Sequence, residues 1–156
     1  MNAISPIDKH SVVHSTFRIE RTYAASPARV FAAFAETEKK RRWFVEGDGW
    51  EIYQYEADFN VGGAETSRFS FKGSPEVRND TVYQDIVPDQ RIVFTYRMAI
   101  GPKPLSASLT TIELTPAGEG TLLVYTEPGA FFDGADSAQG REEGCRGLLE
   151  KLAAEV

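Results

Sequence analysis

From Val12 the chain alternates apolar and polar side chains through "VVHSTFRIERTY", with β-branched residues enriched, which is the period of a half-buried strand. The period changes in "SPARVFAAFAE". Ser26 is placed to cap a helix with Pro27 in its first turn, and Val30, Phe31 and Phe34 fall on one face. A second short helix is expected over "TEKKRRWF", ending at Trp43 and Phe44, before Gly47 and Gly49 break the pattern. Six further strands follow: "WEIYQYEADF", "AETSRFSF", "EVRNDTVYQDIV", "RIVFTYRMAI", "LSASLTTIELT" and "TLLVYTE". The separators "NVGG", "KGSP", "PDQ", "GPKP" and "PAGEG" carry turn residues, so antiparallel neighbours joined by short hairpins are the economical arrangement.

From Ser137 the spacing of Cys145, Leu148, Leu149, Leu152 and Val156 marks one face of a long C-terminal helix. Gly140, Gly144 and Gly147 weaken its first half, which a close backbone approach or a mobile end would explain. The order predicts an α+β fold: a seven-stranded curved antiparallel sheet around a long C-terminal helix, with two short helices between strands one and two. One domain is expected over residues 15–156, after an N-terminal tail at 1–14 whose loosest part is Met1 to Ser11.

Composition narrows the function. The ten Phe and six Tyr suggest an aromatic interior, and a net charge of −6 disfavours binding to nucleic acid or anionic membrane. The N-terminus lacks a secretory pattern and no run is long enough to span a bilayer, so a cytoplasmic protein is expected. A lone Cys145 offers no disulfide and no metal spacing, and reads as a buried structural thiol. No cofactor motif is present: Gly62 and Gly63 lack the Lys and the helix of a phosphate loop and read as turn glycines. Both histidines, His10 and His14, lie at the N-terminal edge, which leaves the core without an imidazole base. The sequon at Asn79 is of no consequence in a cytoplasmic chain.

The segments "IERTYAASPARVFAAFAE", "DFNVGG", "YQDIVPDQRIVFTY", "SLTTIELTPAGEGTLLVYTEPGAFFDG" and "REEGCRGLLEKLAA" together resemble the START-like, or SRPBCC, superfamily. Within it they resemble the branch of activator of heat-shock protein 90 ATPase homologues, over about Thr16 to Ala154. The resemblance implies a helix-grip fold with a cavity between the sheet and the C-terminal helix. It also implies a choice among ligand binders, polyketide cyclases and co-chaperone modules. Asn60 stands where the resemblance leads one to expect a basic residue, which puts an ionic role for that hairpin in doubt.

Strand parity then gives a candidate site. If Leu123 faces the helix, so do Tyr125 and Glu127, and Pro128 and Gly129 are expected to end the strand there. Phe131, Phe132 and Asp133 then fall in the following loop, with Arg141 in the first turn of the helix as the cation for Glu127. Glu127 reads either as a polar anchor in an aromatic pocket or as a structural acid tying loop to helix. Ile92, Phe94, Tyr96 and Met98 share a face, on which the Tyr96 hydroxyl meets a ligand or a neighbour. Trp43 and Phe44 read as a lid or as caps of the core. Tyr53 and Tyr55 share one face of their strand and Ile52 and Gln54 the other, with the inward face undecided. The basic run Lys39, Lys40, Arg41, Arg42 reads as a solvated helix face.

The leading expectation is binding of a small, mostly apolar or aromatic molecule, without cofactor or metal, at Trp43, Phe44, Phe94, Tyr96, Tyr125, Glu127, Phe131, Phe132 and Arg141. The alternatives are a cyclase-like or hydrolytic enzyme using Glu127 as acid or base, and a co-chaperone-like module that binds protein. A homodimer is left open.

Overall fold

A computed structural model describes residues 10–156. Seven antiparallel strands form one sheet in the order β1-β7-β6-β5-β4-β3-β2. They are β1 (Val12–Tyr23), β2 (Trp50–Ala57), β3 (Ala64–Phe71), β4 (Val77–Val87), β5 (Arg91–Ile100), β6 (Lys103–Ala117) and β7 (Gly120–Phe132). Helices α1 (Pro27–Ala35) and α2 (Thr37–Phe44) lie between β1 and β2, and α3 (Ala138–Leu152) follows β7. This is the expected α+β helix-grip architecture. Residues 12–14 belong to β1 rather than to a tail, and the first nine residues of the expected loose start lie outside the described residues.

Local chemistry sets the helix ends. The Ser26 side chain accepts from the Arg29 backbone N–H at 3.3 Å, and Ser137 accepts from Gly140 N–H at 3.1 Å. Helix α3 packs on β1 and α2 and buries Cys145, Leu149 and Leu152, while Leu148 is half-buried and Val156 lies beyond the helix end. Three contacts pin the helices: the Tyr23 hydroxyl donates to Leu149 C=O at 2.7 Å, Trp43 Nε1 donates to Ala33 C=O at 2.8 Å, and Arg42 forks onto Glu155. No helix among the described residues is long and apolar enough to cross a membrane.

Two strands depart from the sequence reading. β7 does not end at Pro128 and Gly129 but continues to Phe132, paired with β1 throughout. The β6 ladder runs to Ser108↔Gly129 and resumes at Thr111↔Thr126, so the proline with no N–H opens a local gap without ending the strand. In β2, Tyr53 is an extra residue between Ile52↔Phe69 and Gln54↔Arg68. The bulge reverses parity there and leaves Ile52 and Tyr55 on the same face, which corrects the uniform alternation expected for that strand.

Candidate ligand-binding site

Helix α3 does not lie flush on the sheet. A cavity of about 520 Å³ remains, bounded by α2, by β2 to β7 and by α3. Its wall includes Trp43, Phe44, Phe94, Tyr96, Tyr125 and Arg141, six of the nine residues proposed from sequence, together with Trp50, Phe69, Met98 and Leu148. Trp43 is buried and held by its indole N–H, so it forms a fixed wall rather than a lid. Cys145 also lines the cavity; burial pushes its thiol up to about 12, so it is inert at neutral pH.

Glu127 faces inward and is 1% exposed, as strand parity requires. It lies behind the cavity wall rather than on it, because Tyr96 and Tyr125 stand between. Tyr96 donates to Glu127 Oε2 at 2.8 Å, and Tyr125 and Thr110 donate to Oε1 at 2.8 and 2.6 Å. The expected direct contact with Arg141 is replaced by a relay. Arg141 Nη1 donates to the Tyr96 hydroxyl at 2.8 Å, while Nη2 donates to Ser106 and to Asp136 Oδ2 at 2.7 and 2.8 Å. On the other side, Cys145 Sγ donates to the Tyr125 hydroxyl at 3.5 Å. Each tyrosine therefore accepts from one neighbour and passes its own proton toward the acid. Burial, then the charge of Glu127, raises the Tyr96 pKa well above its ordinary value. Burial, then Cys145 and Glu127, does the same to Tyr125, so both phenols stay protonated as donors.

Phe131 is buried at the end of β7 and stacks under the Arg141 guanidinium, 5.4 Å from its ring centroid. It positions Arg141 and does not line the cavity. Phe132 is only half-buried on the other face of the strand, so the extra length of β7 removes both rings from the loop in which they were expected. Asp133 occupies the turn at φ 56° and accepts from Ser11 N–H at 2.9 Å, a bond that lowers its pKa.

The other end of the cavity holds a cluster that the sequence reading missed. Lys40, expected on a solvated helix face, is 5% exposed and pairs with Glu65, whose Oε2 lies 2.8 Å from Nζ. Tyr83 donates to Glu65 Oε1 at 2.6 Å, and the ammonium sits 4.8 Å from the Phe44 ring centroid. The available signal was spacing: Lys40 is three residues before Trp43 on the face that α2 buries, and Glu65 alternates with Ser67 and Phe69.

The chain matches, over residues 24–156, the family model described as Activator of Hsp90 ATPase homolog 1-like protein. The chain belongs to this family. Among solved structures, the Mll3558 protein from Rhizobium loti is 69% identical, with TM-score 0.87, over 94% of this chain and 99% of that one. An uncharacterized protein from Rhizobium leguminosarum is 36% identical, with TM-score 0.90, covering 94% and 97% of the two chains. CalU16 from Micromonospora echinospora, 19% identical with TM-score 0.60 over 94% of this chain and 84% of that one, shares the fold alone. No curated protein matches the chain.

Proposed function

We propose that this member of the family binds a small, mostly apolar or aromatic molecule in the cavity between the sheet and α3. The observation that supports this is an aromatic-walled space of about 520 Å³, within the range of small-molecule pockets, whose buried charged groups are already paired by the protein. The position of Glu127 behind Tyr96 and Tyr125 favours binding over acid–base chemistry, since a bound molecule meets phenol and ring edges before it meets the carboxylate. The co-chaperone alternative draws only on the description of the family.

Both tryptophans, Trp43 and Trp50, line the cavity, so occupancy reads out directly. Titration with a chemically broad set of aromatic and alicyclic compounds should quench their fluorescence and raise the melting temperature, since a ligand at a hundred times its Kd adds about 2.7 kcal/mol of stability. A set that produces neither quenching nor a thermal shift overturns the reading and favours protein binding.

A further inference from the structure

We propose that Asn79 is the polar recognition residue of this cavity, and that the molecule bound there is an uncharged ring compound carrying a hydroxyl. This rests on the reading of the cavity as a ligand site and adds the ligand's chemical class. Three buried side-chain atoms among the described residues have no hydrogen-bond partner: Tyr55 Oη, Asn79 Oδ1 and Ser108 Oγ. Of these residues Asn79 alone lines the cavity. It stands near the start of β4, opposite Ser67 on β3 and Met98 on β5, with Val77 and Thr81 beside it on the inward face. A buried amide oxygen without a partner is costly, and because Asn79 lines the cavity, rotation of its carboxamide toward a bound hydroxyl supplies the missing donor. A hydroxyl both donates and accepts, so it satisfies either end of the carboxamide.

Charge on the ligand is disfavoured by the same accounting. Of the charged side chains in the wall, the buried Lys40 is paired with Glu65 and the buried Arg141 with Asp136, while Lys151, whose Nζ donates to Glu46 C=O at 2.6 Å, is exposed at the rim and has no ion-pair partner among the described residues. The hydroxyls of Tyr96 and Tyr125 are committed to Glu127. An ionic group in the buried part of the cavity, beside Asn79, has to break one of the two ion pairs or remain uncompensated in an apolar site. On the α3 side, Gly144 and Gly147 line the cavity yet are exposed, and a Cβ added at either would meet nothing within 4 Å, so the rim along the helix leaves room for a ring to enter.

The test uses naphthol, its methyl ether and naphthoate, titrated into the full chain by tryptophan fluorescence and calorimetry. Wild type should bind naphthol roughly tenfold more tightly than the methyl ether, the value of one well-placed hydrogen bond to a buried acceptor, and naphthoate more weakly than either. In Asn79→Val the preference should collapse to about onefold with the methyl ether affinity retained. Asn79→Ala is read the same way should the valine variant fail to melt cooperatively. Survival of the tenfold preference in a folded variant overturns the assignment to Asn79, as does equal binding of naphthol and ether by wild type. Tightest binding by naphthoate overturns the uncharged class. If none of the three binds wild type, the hydroxyl-bearing ring class is overturned, while the cavity reading stands or falls separately on the broad compound set.

Discussion

Glu65 and Glu127 are both sealed inside the sheet, at 3% and 1% exposure, yet different chemistry satisfies them. Glu65 touches a cation, with Lys40 Nζ 2.8 Å away and a single phenol, Tyr83, completing the contact. Glu127 touches none. Three hydroxyls donate to it, and the nearest guanidinium acts one bond further out, through Tyr96. A buried carboxylate needs its lone pairs occupied more than it needs a counter-charge in contact, and the two sites meet that need by opposite routes. The consequence for the cavity is the same: each acid is satisfied by groups of the protein itself, and the wall between them is aromatic.

Alkaline pH should strain both sites at once and is the largest effect expected. Burial pushes Tyr23 and Cys145 up to about 12, and burial, first among its causes, raises Tyr55, Tyr83, Tyr96 and Tyr125 above the ordinary value of 10.0. In the unfolded chain the thiol releases its proton near 9.0 and the phenols near 10.0, while the folded chain holds them. The unfolded state then binds fewer protons, so this stability is fully present below about pH 9 and is lost as pH rises toward 12. Urea melts between pH 8 and pH 11 should show it; a flat profile would contradict the buried phenols.

Separate substitutions distinguish the two routes. Lys40→Met should cost about 3–5 kcal/mol, because it strands a buried carboxylate, and Lys40→Met with Glu65→Leu should recover most of that loss. Urea unfolding of the three variants gives the coupling; full additivity would mean that the pair does not act as a unit. Glu127→Gln should cost less, about 1–3 kcal/mol, since its hydroxyl partners can rotate to accept from the new amide. A loss above that of Lys40→Met would reverse the ranking of the two sites. The smallest effect expected is at the helix wall. Gly144→Ala should stabilise α3 by up to about 1 kcal/mol while weakening large aromatic ligands, because the methyl group is added at the rim of the cavity. Paired melts and titrations read both; a loss of stability would mean that the glycine serves close packing instead.

Much of the architecture was legible in the chain. β1, α2, β3 and β5 fall on the segments whose periods announced them, and Ser26 and Ser137 cap their helices. Parity sent Tyr125 and Glu127 inward, and Ile92, Phe94, Tyr96 and Met98 to the face that meets α3. These are local properties: a side chain's direction on a strand and the turn that ends it depend on a few neighbours.

The partners of those side chains were decided elsewhere. Pro128 and Gly129 carry a stop signal, but pairing with β1 on one side and β6 on the other carried β7 through it, which moved Phe131 under Arg141 and drew Arg141 to Asp136. Lys40 reads as one cation in a basic run until α2 docks and β3 brings Glu65 across 25 positions of sequence. Asn79 looks like any polar strand residue until the sheet closes around it and leaves its oxygen unpartnered. The sequence alone determined which faces are apolar, because that follows from periodicity. Only the tertiary structure decided which buried polar atoms meet and which are left without a partner, because those distances are set by packing between elements far apart in the chain.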